Sequence, residues 1–331
     1  MQIKILGSAA GGAFPQWNCA CTNCRAVRAG TFHGKARTQT QVAISENGHS
    51  WFLLGASPDL RVQIEATPEL QPHEGVRQSP IAGVVLANAD LDHVLGLLLL
   101  RELQPLRVHA TPSVRRILGD DNSMFAMLQR IPNQIVWDDF PVGREFSLCD
   151  ARGQDSGFRC QAWPLATHYP AYVTPPRRGG RIRRPRDPER SEGKRKRSQL
   201  AAKEASLGFF IFSHGKDSSE PRPSFAYFPA VPVLDDALLE QFDRCDLLFF
   251  DGTFWSDDEL IRVQGGGQTA RQMGHIPVEE TLGKLAAVRR PRKIFLHINN
   301  TNPMLDEASD QYRRARSAGW EIAEDGWQLN L

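Results

Sequence analysis

The chain has 331 residues, 41% of them hydrophobic, and a formal net charge of only +2, so it is long enough for one large or two ordinary domains with a substantial core. No apolar run reaches the roughly 18 residues that cross a bilayer, and the start, MQIKILGSAAGG, lacks the apolar stretch of a secretory signal; a membrane span is excluded and the cytoplasm is the expected location. The near-neutral total hides an uneven distribution: residues 175–203 hold 12 Lys and Arg against 3 Asp and Glu, which leaves the remainder acidic.

QIKIL predicts a first strand, followed by the loop GSAAGGAFPQWN. TQVAIS and SWFLLGA, joined through ENGH, predict a hairpin with Asn47-Gly48 at its turn. Ser57 and Pro58 offer an N-cap and a first helical residue for PDLRVQIEA. AGVVLA has the apolar, β-branched character of a strand buried on both faces, and the run after His93 is long enough for a helix. LRVHA before Thr111-Pro112 repeats the passage from strand to capped helix.

The stretch 175–203, rich in Pro, Gly and charge, cannot bury enough apolar surface to offset its ordering entropy. It reads as a disordered, solvated insertion within a single domain spanning 1–331, and not as a contact for nucleic acid. Beyond it come the strands LGFFIFS and SFAYF, a helix in LDDALLEQF, the strand in DLLFFDGTFW, a helix around VEETLGKLAAV, the strand KIFLHI and a helix around DQYRRARSA. WEIAE and WQLNL predict a closing hairpin that turns at Asp325-Gly326. Strands that come first in hairpins and then alternate with helices, in each half, imply an α/β fold of two sheets packed face to face with helices outside.

Three of these strands end on polar residues: AGVVLA on Asp90, Asp92 and His93, LLFF on Asp251, and KIFL on His297 with INNTNP behind it. Ligands in α/β folds bind beyond the carboxyl ends of strands. Each residue taken singly also suits a helix cap or a turn. Imidazole and carboxylate together are the donors of Zn, Fe and Mn sites, whereas carboxylates alone would suit Mg or Ca.

DLDHVLGL resembles the core of the metallo-β-lactamase superfamily signature, His-x-His-x-Asp-His, although here the pattern reads Asn88-x-Asp90-x-Asp92-His93. Through LGSAAGGAFPQWNC, ARTQ, ASPDLR, DHVLGLLLLRE, DGTFWSDDE, RQMGH and HINNTNPMLDE the chain is similar to the branch of that superfamily that serves pyrroloquinoline quinone biosynthesis. The resemblance implies the αββα sandwich of the superfamily and, with the two leading histidines missing, a single active-site metal. It implies Asp92, His93, Asp251 and His297 as ligands of Fe(II), with Zn as the other candidate, and O2 as co-substrate. The implied reaction is hydroxylation of the tyrosine-derived ring in a cross-linked Glu-Tyr precursor of the quinone. A Zn-dependent hydrolase, and a carrier that helps the quinone or its precursor toward the periplasm, are the other readings. Other proteins of the pathway and a second copy of the chain are the protein partners it leaves open. His168 and Asp90 stand as further candidates for the site, and the basic insertion departs from the family pattern.

Arg271, beyond Gly265 to Gly267, offers a carboxylate-binding fork, and Asn299, Asn300 and Asn302 offer hydrogen bonds to the polar edges of a substrate or, equally, to their own turn. Of six cysteines, Cys149, Cys160 and Cys245 read as buried apolar residues in a reducing compartment. Cys19, Cys21 and Cys24 form C-x-C-x-x-C, too close to bridge one another and close enough to converge on one ion, as in a structural zinc site. Superfamily members with this cysteine spacing imply a histidine as fourth ligand, and His275 in RQMGH is the candidate.

Overall fold

The structure, a computed structural model, describes all residues except 103, 133, 167, 168, 171, 174–199 and 214–222. The basic insertion therefore lies outside the described residues apart from 200–203, as does His168.

One sheet joins β1 (Gln2–Gly7), β2 (Gln41–Ser45), β3 (Trp51–Leu54), β4 (Ile81–Val85), β5 (Leu106–Ala110) and β6 (Ile135–Asp139) in chain order. The other joins β7 (Glu145–Cys149), β8 (Asp155–Ala166), β9 (Ser206–Phe212), β10 (Phe225–Phe228), β11 (Leu247–Asp251), β12 (Arg292–Leu296) and β13 (Trp320–Ile322). In each, the early strands pair antiparallel and the later ones parallel. The helices are α1 (Thr22–Ala29), α2 (Leu60–Glu65), α3 (Leu91–Val94), α4 (Pro112–Arg116), α5 (Asp236–Phe242), α6 (Glu259–Gln264), α7 (Val278–Lys284) and α8 (Asp310–Ser317).

The strand alternation builds three apolar layers. Ile5, Val42, Phe52 and Val85 of the first sheet meet Phe209, Tyr227, Phe249 and Leu296 of the second. Their neighbours in sequence point outward: Ala43, Leu53 and Val84 against Leu60 of α2 and Val94 of α3, and Phe210, Phe250 and Phe295 against Phe242 of α5, Val278 of α7 and Ala315 of α8. Strands covered on both faces must be apolar at every position, which is why LLFF and GVV lack polar alternation. The order is thus helices, sheet, sheet, helices. No helix among the described residues is long and apolar enough to cross a membrane. Cys160 and Cys245 are buried and Cys149 is half-buried.

Two expectations are corrected. The closing hairpin does not form: β13 pairs in parallel with β12 in the second sheet, whereas β14 (Trp327–Asn330) pairs with β1 in the first. The turn at Asp325-Gly326 passes the chain between sheets, anchored by Gly326 N on the Ile5 carbonyl at 2.7 Å and by Asp325 carboxylate oxygens that accept from Ser8 Oγ at 2.8 Å and Thr38 N at 2.6 Å. Both sheet edges thereby gain a strand, which satisfies amides and carbonyls that a two-stranded ribbon would leave open.

The second correction concerns the run after His93, which makes only the single turn α3 and then a 3₁₀ stretch, Leu95–Leu100. The His93 carbonyl, which an α-helix would give to residue 97, accepts from Ala56 N at 2.7 Å, and Gly96 N donates back to the Ala56 carbonyl at 2.9 Å. A Cβ on Gly96 would stand 2.3 Å from the Ser57 carbonyl oxygen. Gly96→Ala is therefore expected to cost about 1–3 kcal/mol by overpacking. Urea titration measures this, and an unchanged midpoint would show that the turn is not sutured to residue 56.

Candidate metal centre

The carboxyl ends of β4, β11 and β12 converge on one rim of the sandwich. The ligand atoms of Asp92, His93 and His297 lie within 4.8 Å of one another, and so do those of Asp251, His275 and His297. His297 belongs to both sets, its ring stacked between His93 (centroids 5.3 Å) and His275 (5.5 Å). Its backbone holds φ 58, a left-handed conformation that costs a side-chain-bearing residue on the order of 1 kcal/mol. The next residue repays this by anchoring the turn, with Ile298 N on the Ser8 carbonyl at 3.0 Å.

Asp251 is fully buried, and every acceptor position it has is taken. Oδ1 accepts from Thr253 N at 3.0 Å and from the Thr253 hydroxyl at 2.7 Å; Oδ2 accepts from Val231 N and His275 Nδ1, both at 2.8 Å. To ligate an ion, Asp251 must release one of these. The Thr253 hydroxyl has one proton for two acceptors, Asp251 Oδ1 at 2.7 Å and the His297 carbonyl at 2.9 Å, so toward His297 Nδ1, 2.9 Å away, it can only accept. Both histidines then carry Nδ1–H, which reserves Nε2 for a metal.

On the near side, Asp92 Oδ2 lies 3.3 Å from His297 Nε2 and 3.8 Å from His93 Nε2. Burial alone would raise the Asp92 carboxyl, but His93 and His297 outweigh it and hold it well below the usual carboxylate range. Burial lowers the His93 imidazole and raises the Asp90 carboxyl, with Asp92 adding to the rise. His297 Nε2 and the Asp92 oxygen, 3.3 Å apart, hold a proton between them, and a metal ion bound there takes that proton's place. The Tyr227 hydroxyl has no hydrogen-bond partner among the described residues, and its pKa is pushed up by burial and then by Asp92. Two imidazoles and a carboxylate fit Fe(II) or Zn(II).

Above these residues opens a cavity of about 1170 Å³, whose lining includes Asp90, Arg271, His275 and Asn299. Gly11 closes one side; a Cβ there would stand 3.1 Å from Asp92 Oδ2. Arg271 reaches both Glu280 carboxylate oxygens at 2.5 Å.

The other two asparagines of the HINNTNP run turn away from the cavity. Asn302 donates to the Gly252 carbonyl at 2.9 Å and accepts from Met304 N at 2.9 Å, the turn-capping alternative for that run. Asn300 Nδ2 sits among the three cysteines, 3.1 Å from Cys19 Sγ, 3.7 Å from Cys21 Sγ and 3.3 Å from Cys24 Sγ. The thiols group with one another, and His275, expected among them, stands with Asp251 and His297 because the buried carboxylate needs its Nδ1–H. Burial opposes ionisation of Cys19, but the Cys21 amide and its polar neighbours pull its pKa down, while burial pushes Cys21 up to about 11. Thr253 went unnoticed in the sequence although DGTFW places it two residues after Asp251.

Residues 50–298 match the family model described as beta-lactamase superfamily domain. Coenzyme PQQ synthesis protein B of Methylobacterium sp. (strain 4-46) is 38% identical over 334 aligned residues that cover both chains in full. The chain belongs to the coenzyme PQQ synthesis protein B family. The Pseudomonas paraeruginosa (strain DSM 24068 / PA7) member is 37% identical over the same full coverage. Zn(2+)-bound PqqB from Methylobacterium extorquens superposes with a TM-score of 0.83 at 34% identity, each chain covered completely. A diphosphatase from the PhnP family shares the fold, with a TM-score of 0.61 at 18% identity over 100% of this chain and 97% of its own. The metallo-β-lactamase sandwich and a role in PQQ biosynthesis are therefore properties of this family member.

Removing the Thr253 hydroxyl tests how the rim is organised. Thr253→Val is expected to weaken metal binding about 10–100-fold and to cost about 1–3 kcal/mol of stability. Competition with a chromogenic chelator and urea titration read the two, and unaltered metal affinity would show that Thr253 does not orient His297.

Proposed function

We propose that this family member is a non-haem iron-dependent hydroxylase that acts on the tyrosine-derived ring of the cross-linked Glu-Tyr precursor. The observation that carries the reading is the open triad of Asp92, His93 and His297 on the floor of a cavity large enough for a small molecule. When bound, Fe(II) would supply the activation of O2 for oxygen insertion into the ring. The chain's own part is to hold the ion through Asp92, His93 and His297, with Asp251 and Thr253 fixing the tautomers behind them. Asn299 lines the substrate space, and Arg271 serves the carboxylates of the substrate once it leaves Glu280. His275 directs its Nδ1 proton to Asp251 and keeps Nε2 for a proton or a second contact at the rim. A raised His275 pKa, despite burial and because of Asp251, suits it to hold a proton near substrate.

The three cysteines form a second, structural zinc site, with Asn300 as the fourth side chain in place of His275. An amide turned by half a rotation brings Oδ1 to where Nδ2 now meets three sulfurs.

Anaerobic loading with Fe(II), followed by O2, ascorbate as two-electron reductant and the cross-linked Glu-Tyr compound, tests the reaction, in which one oxygen atom enters the ring and the other leaves as water. Oxygen uptake and a product heavier by oxygen are expected; turnover with Zn and without O2 would replace this reading by hydrolysis, and ligand binding without turnover by a carrier. His93→Ala is expected to lose the active-site metal and keep the fold, and Cys21→Ser to lose one zinc and melt earlier. Metal analysis and thermal melts of the two variants measure both, and unchanged iron in His93→Ala would overturn the ligand assignment.

A further inference from the structure

Glu259 opens α6 and is 4% exposed. The charges around it are engaged elsewhere: Arg262 with Asp258, the residue before the helix, at 3.1 Å, and Arg314 of α8 over the Trp255 ring at 5.0 Å. Residues 298–305, packed against it through Thr301, contain no titratable side chain. The Glu259 carboxylate accepts from Trp255 N at 2.6 Å and from the Thr301 hydroxyl at 2.5 Å. Having given its one proton to Glu259, Thr301 can only accept from Asn299, whose Nδ2 lies 2.6 Å away. The Asn299 amide is thereby fixed with its nitrogen toward Thr301, and Oδ1, which accepts no hydrogen bond from the described residues, is left for the cavity that Asn299 lines.

We propose that Glu259 is a positioning residue: through the Thr301 hydroxyl it decides whether Asn299 offers the cavity a hydrogen-bond acceptor or a donor. This rests on the reading of the cavity as the substrate site. A proton on Glu259 reverses the relay. The carboxyl then donates to Thr301, the hydroxyl donates to Asn299 Oδ1, and the amide turns to present Nδ2 to the cavity. Burial pushes the Glu259 carboxyl up to about 7, against the opposing pull of Thr301, the Trp255 amide and Arg262, so both orders are accessible near neutral pH. A donor suits a substrate carboxylate, and an acceptor repels it.

The Asn299 side-chain amide reports the relay directly. In the zinc-loaded full-length chain labelled with 15N-asparagine, its NMR signals are assigned by their loss in Asn299→Asp. They are expected to shift between roughly pH 5.5 and 8.5, the range that brackets titration near neutrality. In Glu259→Gln, whose amide nitrogen donates to Thr301 as the protonated acid does, they are expected to stay at the acid-limb position throughout. Thr301→Val, which keeps Glu259 but cuts the relay, is expected to abolish the shift as well. A wild-type signal that does not move, or a shift that survives either variant, overturns the proposal. Calorimetry with the cross-linked Glu-Tyr compound is expected to show binding about tenfold tighter on the acid limb in wild type, the worth of roughly one hydrogen bond, and a flat profile in Glu259→Gln. Absence of binding at every pH overturns the reading of the cavity, while the amide signals still decide the role of Glu259.

Discussion

A carboxylate buried without access to water must be met by donors on every side, and Asp251 is the residue that imposes this on the fold. Leaving even one of its oxygens unpaired would cost more than most single contacts contribute. The chain answers with two backbone amides, one hydroxyl and one imidazole, drawn from the segments at 231, 253 and 275. Once those are fixed, the tautomers of His275 and His297 follow, because a hydroxyl has only one proton to give. The metal-binding character of the rim is thus a consequence of satisfying one buried charge.

The two sheets supply the rigidity this requires. Each is built on the same plan, antiparallel strands followed by parallel ones, and the parallel strands end at the rim. Loops at such ends are held by strands covered on both faces, so side chains carried by different strands keep their mutual distances. Asp92 and His93 come from the first sheet and Asp251 and His297 from the second. The site therefore bridges the sandwich, and the packing of Phe52, Phe209 and Phe249 between the sheets also sets the spacing of the ligands.

Much of the fold was legible in local patterns. Apolar runs such as LLFF and GVV betrayed strands covered on both faces, and Thr111 accepts an amide at the start of α4 as a helix cap does, whereas α2 starts at Leu60 behind Asp59 and not at the expected Ser57-Pro58. The strands β6, β7 and β8 escaped notice, β8 because its inward set, Phe158, Cys160 and Ala162, alternates with Arg and Gln and includes only one large apolar residue. The closing segment misled for the opposite reason: two strands around Asp-Gly have the local chemistry of a hairpin, and only the open edges of β1 and β12 separate them.

The candidate site divides in the same way. Its residue types, two imidazoles, several carboxylates and three clustered thiols, are a property of the sequence, because chemistry depends on which side chains are present and strand ends are readable from periodicity. Which of them stand together is a property of the tertiary structure. His275 and Asn300 could each have served the thiols on spacing alone, and nothing local to either distinguishes them. The choice was made by the acceptor of Asp251 that takes the His275 proton at one place and by the approach of residues 19–24 to Asn300 at the other, both of which exist only once distant segments are side by side.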